Sequence, residues 1–95
     1  MMSLITHHLT AEGARGFAAW VTRLNAALCR QPGFVSVRAF TDAAYPGAHH
    51  VLLEMASEAA LRAWTSGEDK APLLREIEAL ATRPWTALRL RELRR

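Results

Sequence analysis

Four histidines, three tryptophans, one cysteine and a set of arginines are the residues of this chain whose types could carry chemistry. The histidines come as two adjacent pairs, His7-His8 and His49-His50. Neighbouring residues on a strand point to opposite faces, so neither pair can chelate a metal alone. If the two segments run antiparallel in one sheet, one histidine of each pair shares each face. Two imidazoles without a third ligand make only a weak site, and no residue is assigned to a metal. His7 stands as a general base or hydrogen-bond donor on the first strand, against the alternative of a hydrogen-bonded structural histidine. Trp64, at the end of a short helix beside the break at Thr65 to Gly67, is either a core plug or the wall of a pocket. Arg38 is an anchor for an anionic oxygen, or the partner of a carboxylate across a hairpin. Cys29 has no internal disulfide partner and no metal-binding spacing, which leaves it as a small buried or half-buried apolar residue.

Periodicity supplies the elements that must position these side chains. Met2 to Leu9 is rich in apolar and β-branched residues and predicts a first strand, with Thr10 as the cap of the helix that follows. From Ala11 to Arg30, the residues Phe17, Trp20, Val21, Leu24 and Leu28 recur at three- and four-residue steps and form one face of an amphipathic helix. Gln31-Pro32-Gly33 stops it. Phe34 to Thr41 predicts a second strand, with Phe34, Ser36, Arg38 and Phe40 on one face and Val35, Val37 and Ala39 toward the helices. The turn pair Pro46-Gly47 joins it to a third strand carrying Val51, Leu52, Leu53 and Met55. A hairpin centred near Tyr45 puts Arg38 about opposite Glu54, an ion pair worth ~0.2 to 1 kcal/mol if half-exposed. Ser57 caps a short helix to Thr65, a further helix spans Lys70 to Ala81, and Trp85 to Leu93 alternates as a fourth strand.

The order βαββαβ has a common solution: an α+β, ferredoxin-like fold with a four-stranded antiparallel sheet and its helical segments on one face. The single domain spans residues 1–95. One helical layer leaves the other sheet face bare, yet Phe34, Phe40 and Leu52 are expected there. An apolar open face calls for a partner, most simply a second copy, so a homodimer through that face is expected.

Composition sets the remaining bounds. The chain is 51% hydrophobic and 22% charged, a globular balance, and no stretch approaches the ~20 apolar residues of a membrane span. The N-terminus lacks the positive start and long apolar region of a secretory signal, so cytoplasmic residence is the expectation. The net charge is +3, and five arginines lie between Arg83 and Arg95. They share a strand-like segment with Leu88, Leu90 and Leu93, without interleaved aromatics or a binding motif, so nucleic acid is not expected as a partner.

The segments FAAWVTRLNAAL, QPGFVSVRAF and SEAALRAWTSGEDKAPLLREIEAL together resemble the antibiotic biosynthesis monooxygenase family of the dimeric α+β barrel superfamily. The most recognisable parts are Pro32-Gly33-Phe34 and Ser57 to Ser66 with Leu61 and Trp64. The resemblance implies two protomers packing their sheets into a barrel, each keeping a pocket between sheet and helices. It further implies oxidation of a small aromatic or quinol-type substrate by molecular oxygen with no cofactor. An electron-rich phenolate can itself reduce oxygen, so the protein need only bind, deprotonate and desolvate it. Trp64 matches the pocket Trp of several branches; with His7 and Arg38, read from their own chemistry, it makes the candidate catalytic set. The haem-degrading branch needs a His on the following helix, and none follows His50. The polyketide branch has an Asn one turn before the Trp and a Tyr shortly after; here those places hold Ala60 and the Gly67 to Lys70 region. A non-catalytic small-molecule binding or regulatory module on the same fold is the alternative, and a weak His-based metal-binding protein a further one.

Overall fold

Alternating apolar residues and two well-formed helix caps build most of the frame. The computed structural model describes residues 1–93; Arg94 and Arg95, the end of the basic run, lie outside the described residues. The elements are β1 (Met2–Leu9), α1 (Ala11–Leu28), β2 (Phe34–Thr41), β3 (Ala48–Met55), α2 (Glu58–Thr65), α3 (Lys70–Glu78) and β4 (Ala81–Leu90). The strands form one antiparallel sheet in the order β2-β3-β1-β4, the ferredoxin-like arrangement with the second helical segment split in two. No helix among the described residues is long and apolar enough to cross a membrane.

Caps fix where the helices begin. The Thr10 hydroxyl accepts from the Gly13 N–H at 3.1 Å, and the Ser57 hydroxyl accepts from the Ala60 N–H at 3.1 Å. Phe17, Trp20, Leu24 and Leu28 then fall on one stripe of α1 and pack on Val51, Leu53 and Met55 of β3, with Leu61, Trp64 and Ile77 closing the same core. Gly33 lies at φ +82°, and an added Cβ would sit 2.7 Å from Ala60 Cβ. That position needs glycine both for its backbone and for its contact with α2.

Several expectations are corrected. The first helix ends at Leu28, and Cys29 is its exposed C-cap. One residue past Leu28 is a rotation of about 100°, off the buried stripe. The last helix ends at Glu78, and β4 begins at Ala81. Pro84 does not block that strand because β4 is an edge and its pairing with β1 shifts between Thr6 and His8. On β2 the pairing shifts between Phe34 and Ser36, leaving Val35 over as a bulge. Val35 is therefore 52% exposed, while Phe34 packs on the core instead of joining the open face. Arg38 pairs with Leu52, and it is Ser36 that faces Glu54, so the expected Arg38–Glu54 ion pair is not formed. A hairpin symmetric about Tyr45 places residue 38 opposite 52, two residues from the expected partner.

Register sorts the side chains into rows. On the helix-facing side run Val37, Leu53, Ser3 and Arg89, then Ala39, Val51, Ile5 and Ala87, then Thr41, His49 and His7. On the open side run Ser36, Glu54, Met2 and Leu90, then Arg38, Leu52, Leu4 and Leu88, then Phe40, His50, Thr6 and Thr86.

Candidate functional site

The helix-facing rows do not fill the space beneath the helices. A cavity of about 260 Å³ remains, floored by Ser3, Ile5, His7, Ala87 and Arg89 and roofed by α1, α2 and α3. Ala87, at the β4 end of its row, is among the lining residues. Trp20, Trp64 and Trp85 form aromatic walls, and Lys70 and Arg89 are the charged residues of the lining, which contains no carboxylate.

The three indoles are not equivalent. Trp20 Nε1 donates to the Leu73 carbonyl at 2.9 Å, and Trp85 Nε1 donates to Glu78 at 3.2 Å. Trp64 is 3% exposed, and its Nε1–H has no hydrogen-bond partner among the described residues. No sealed, unpartnered side-chain nitrogen or oxygen is found among those residues, so that N–H must reach open space. Trp64 lines the cavity. Trp20 and Trp85 thus spend their donors on the frame, and Trp64 has no such partner among the described residues.

His7 is placed in the same way. It is 4% exposed, stands edge-on to Trp20 with ring centroids 5.5 Å apart, and makes no hydrogen bond among the described residues. It lines the cavity, and neither ring nitrogen is both sealed and unpartnered. Burial, then the neighbouring His49, His8 and Lys70, lower its pKa to about 4. At neutral pH His7 is an uncharged imidazole with a free lone pair. Its cross-strand neighbour His49 is committed elsewhere: its Nδ1 donates to the Gly47 carbonyl at 3.1 Å, and its ring meets Phe17 edge-on at 4.9 Å.

The sheet brings His7 and Trp64 to one cavity and sends Arg38 to the other face. There the Arg38 guanidinium lies 5.3 Å from the Phe40 ring centroid. The cations at the cavity are Lys70 and Arg89, which sequence reasoning did not single out. Lys70 Nζ lies 5.3 Å from the Trp85 ring centroid. Burial lowers its pKa, Glu78 opposes that shift, and Arg89 adds to it. The signal for Arg89 was present in the alternation of β4: if Leu88 and Leu90 face outward, Arg89 must face the helices.

His8 and His50 occur on the open side, where a wide groove is lined by Thr6, Asp42, Tyr45 and Arg83. His50 Nε2 donates to Asp42 at 3.0 Å, and Thr6 Oγ1 meets His50 Nδ1 at 2.9 Å. Asp42 also accepts from the N–H groups of Ala44 and Tyr45. The His50 bond first, and these backbone donors, hold its carboxyl below the usual range. Both nitrogens of His50 are occupied in pinning the 42–47 turn to β1. Among the described residues no group of three or more His, Cys, Asp or Glu is poised for a metal.

No protein-family model and no curated protein matches the sequence. Solved structures do match the fold. An antibiotic biosynthesis monooxygenase superposes with a TM-score of 0.82 at 19% identity, over 99% of this chain and 100% of its own. A conserved protein from Methanosarcina mazei Go1 gives 0.82 at 10% identity, over 92% and 86%. SnoaB, a cofactor-independent oxygenase from Streptomyces nogalater, gives 0.75 at 17% identity, over 97% and 94%. The chain has the fold of the antibiotic biosynthesis monooxygenase structures.

Proposed function

We propose that the protein is a cofactor-independent monooxygenase that oxidises an electron-rich hydroxylated aromatic, a quinol or phenol, with molecular oxygen. The observation that carries this reading is the unspent N–H of Trp64 in the same apolar cavity as the neutral, unpartnered His7. The oxygenase on this fold, SnoaB, lends support at the level of architecture.

The reaction balances without an external reductant. His7 accepts the phenolic proton, and the phenolate formed in the cationic cavity is favoured over its neutral form by Lys70 and Arg89. That phenolate passes one electron to oxygen, and recombination forms a ring C–O bond. The imidazolium returns its proton to the distal oxygen, the O–O bond breaks, and the ring C–H proton leaves with that oxygen as water. A quinol and dioxygen thus become a hydroxyquinone and water, with all four electrons drawn from the substrate. A conjugate acid with a pKa of about 4 makes His7 a weak base in the empty site. The phenolate charge formed beside it would raise that value and stabilise the imidazolium.

Oxygen uptake by the purified protein with 1,4-dihydroxynaphthalene, at one oxygen per quinol and above the autoxidation rate, is the expected result. His7→Gln should lower the enzymatic rate by about a hundredfold. No uptake above the blank, or uptake indifferent to His7, overturns the reading. The alternative of a binding module is favoured by one feature, the lack of a carboxylate to orient His7. It expects saturable quenching of tryptophan fluorescence without oxygen uptake.

The open face supports a homodimer. Leu52, Leu4 and Leu88 form one continuous row across three strands, Phe40 and Leu90 extend it, and Leu88 is 60% exposed. Two copies packing these faces would cover that row.

A further inference from the structure

The cavity is asymmetric along the strands. His7 and Arg89 belong to different rows: Arg89 is paired with Ser3, four residues from His7 on β1, a separation of roughly 13 Å. Ser3 is 5% exposed, and its hydroxyl, like the Arg89 guanidinium, has no hydrogen-bond or ion-pair partner among the described residues. Ser3, Lys70 and Arg89 all line the cavity, and no acidic side chain does. Lys70 is close enough to both His7 and Arg89 to act on each electrostatically. One end of the cavity therefore offers a neutral base and an aromatic wall. The other offers the guanidinium of Arg89, an exposed residue, and the Ser3 hydroxyl, while Lys70, over the Trp85 ring and within electrostatic reach of Glu78, stands between the two ends.

We infer that the substrate carries a carboxylate, held by Arg89 and Lys70 with the Ser3 hydroxyl, and that this group sets the direction in which the aromatic ring enters toward His7 and Trp64. This rests on the reading of the cavity as the substrate site. A planar carboxylate matches the fork of the guanidinium, while Lys70 adds a point charge from the helical side. The apolar lining excludes a highly hydrated anion, and about 260 Å³ lies just below the range typical of drug-sized ligands, which suits one or two fused rings with a single acidic substituent. Ala87, between Arg89 and Trp85 on the same face of β4, leaves the space through which such a ring would pass from Arg89 toward the wall.

The test compares 1,4-dihydroxy-2-naphthoate with 1,4-dihydroxynaphthalene, which differ in the carboxylate. Binding is measured without oxygen, by tryptophan fluorescence, on the wild-type protein, Arg89→Gln, Arg89→Lys and Lys70→Gln. The naphthoate should bind at least about tenfold more tightly than the neutral quinol at low salt. Arg89→Gln should lose about tenfold for the naphthoate and less than about twofold for the quinol, with Arg89→Lys recovering part of the loss. Lys70→Gln should shift the same ratio in the same direction, and it carries the test if β4 does not tolerate Arg89→Gln. Equal affinity for the two compounds in the wild type, or variants that weaken both alike, overturns the carboxylate assignment. Oxygen uptake is measured separately. Carboxylate preference without uptake removes the monooxygenase and leaves this subsite, and uptake without preference does the reverse.

Discussion

Trp64→Phe distinguishes the wall of a pocket from a plug in the core, and Trp20→Phe is its control. Both tryptophans are buried, 3% and 7% exposed, and both line the cavity, so the loss of ring area is similar. Atoms removed from either widen an existing space and cost about 1 kcal/mol. Trp20→Phe also breaks the bond from Nε1 to the Leu73 carbonyl, which adds about 1 kcal/mol. Trp64→Phe breaks no bond within the described residues. In urea titrations followed by far-UV circular dichroism, Trp20→Phe should therefore be the more destabilising by about 1 kcal/mol. The order should reverse for ligand. Losing one donor to a substrate oxygen is worth about 0.5 to 1.5 kcal/mol, so Trp64→Phe should weaken 1,4-dihydroxynaphthalene about two- to tenfold, and Trp20→Phe should change it little. Trp64→Ala removes the whole ring and should cost about 3 to 5 kcal/mol, a large part of the 5 to 15 kcal/mol typical of a domain. Equal destabilisation by the two Phe variants, with ligand affinity unchanged in Trp64→Phe, would refute the reasoning and make Trp64 a plug.

Gly33→Ala should destabilise by about 2 kcal/mol or more, since φ +82° disfavours any side chain and the new Cβ would meet Ala60 Cβ at 2.7 Å. Gly16→Ala, in the middle of α1 with nothing within 4 Å of the new atom, should stabilise by about 0.5 to 1 kcal/mol, a rise in Tm of several degrees by calorimetry. His7 has its ordinary value of 6.5 in the unfolded chain and about 4 in the folded one, so the unfolded state binds the extra proton between them. Its contribution is intact above pH ~6.5, declines as pH falls toward ~4 and is constant below, with an amplitude of up to about 3 kcal/mol that His7→Gln should remove from denaturant titrations across that window. Leu88→Glu, on the open face, should turn a sedimenting dimer into a folded monomer; a wild type that is monomeric at tens of micromolar would remove the dimer.

The element order was legible because each strand and helix announces itself locally: β1 by its β-branched and apolar run, α1 by its stripe and the Thr10 cap, α2 by Ser57. The face of each residue was legible only where the alternation is unbroken, as along β1 and β3. It failed on β2, where Val35 looks like the ideal inward residue and is the bulge. For Arg38 the hairpin centre near Tyr45 was legible, and counting out from it pairs residue 38 with Leu52, not Glu54. His7 and Trp64 stood out because their chemistry is conspicuous, and both line the cavity. Arg89 could have been read from the β4 alternation with Leu88 and Leu90, whereas Lys70, at the start of a short helix, carries no local sign of facing a cavity; that is decided by what its neighbours pack against.

The two irregular pairings are the points at which the sheet separates its two faces. On β4, Arg83 has the same parity as Trp85, Ala87 and Arg89, so an unbroken strand would turn it toward the helices and add a third cation to the cavity. The shift between Thr6 and His8 pairs Arg83 with His8 instead, and it lines the open groove beside Asp42. On β2 the bulge at Val35 does the converse, turning Phe34 onto the core beneath α2. A period of two cannot by itself place an aromatic inward at residue 34 and an apolar side chain inward at residue 37. Each bulge spends one residue to reset that parity. The outcome is a helix-facing side whose cavity is lined by His7, three indoles and two cations, and an open side whose apolar row the proposed dimer would cover.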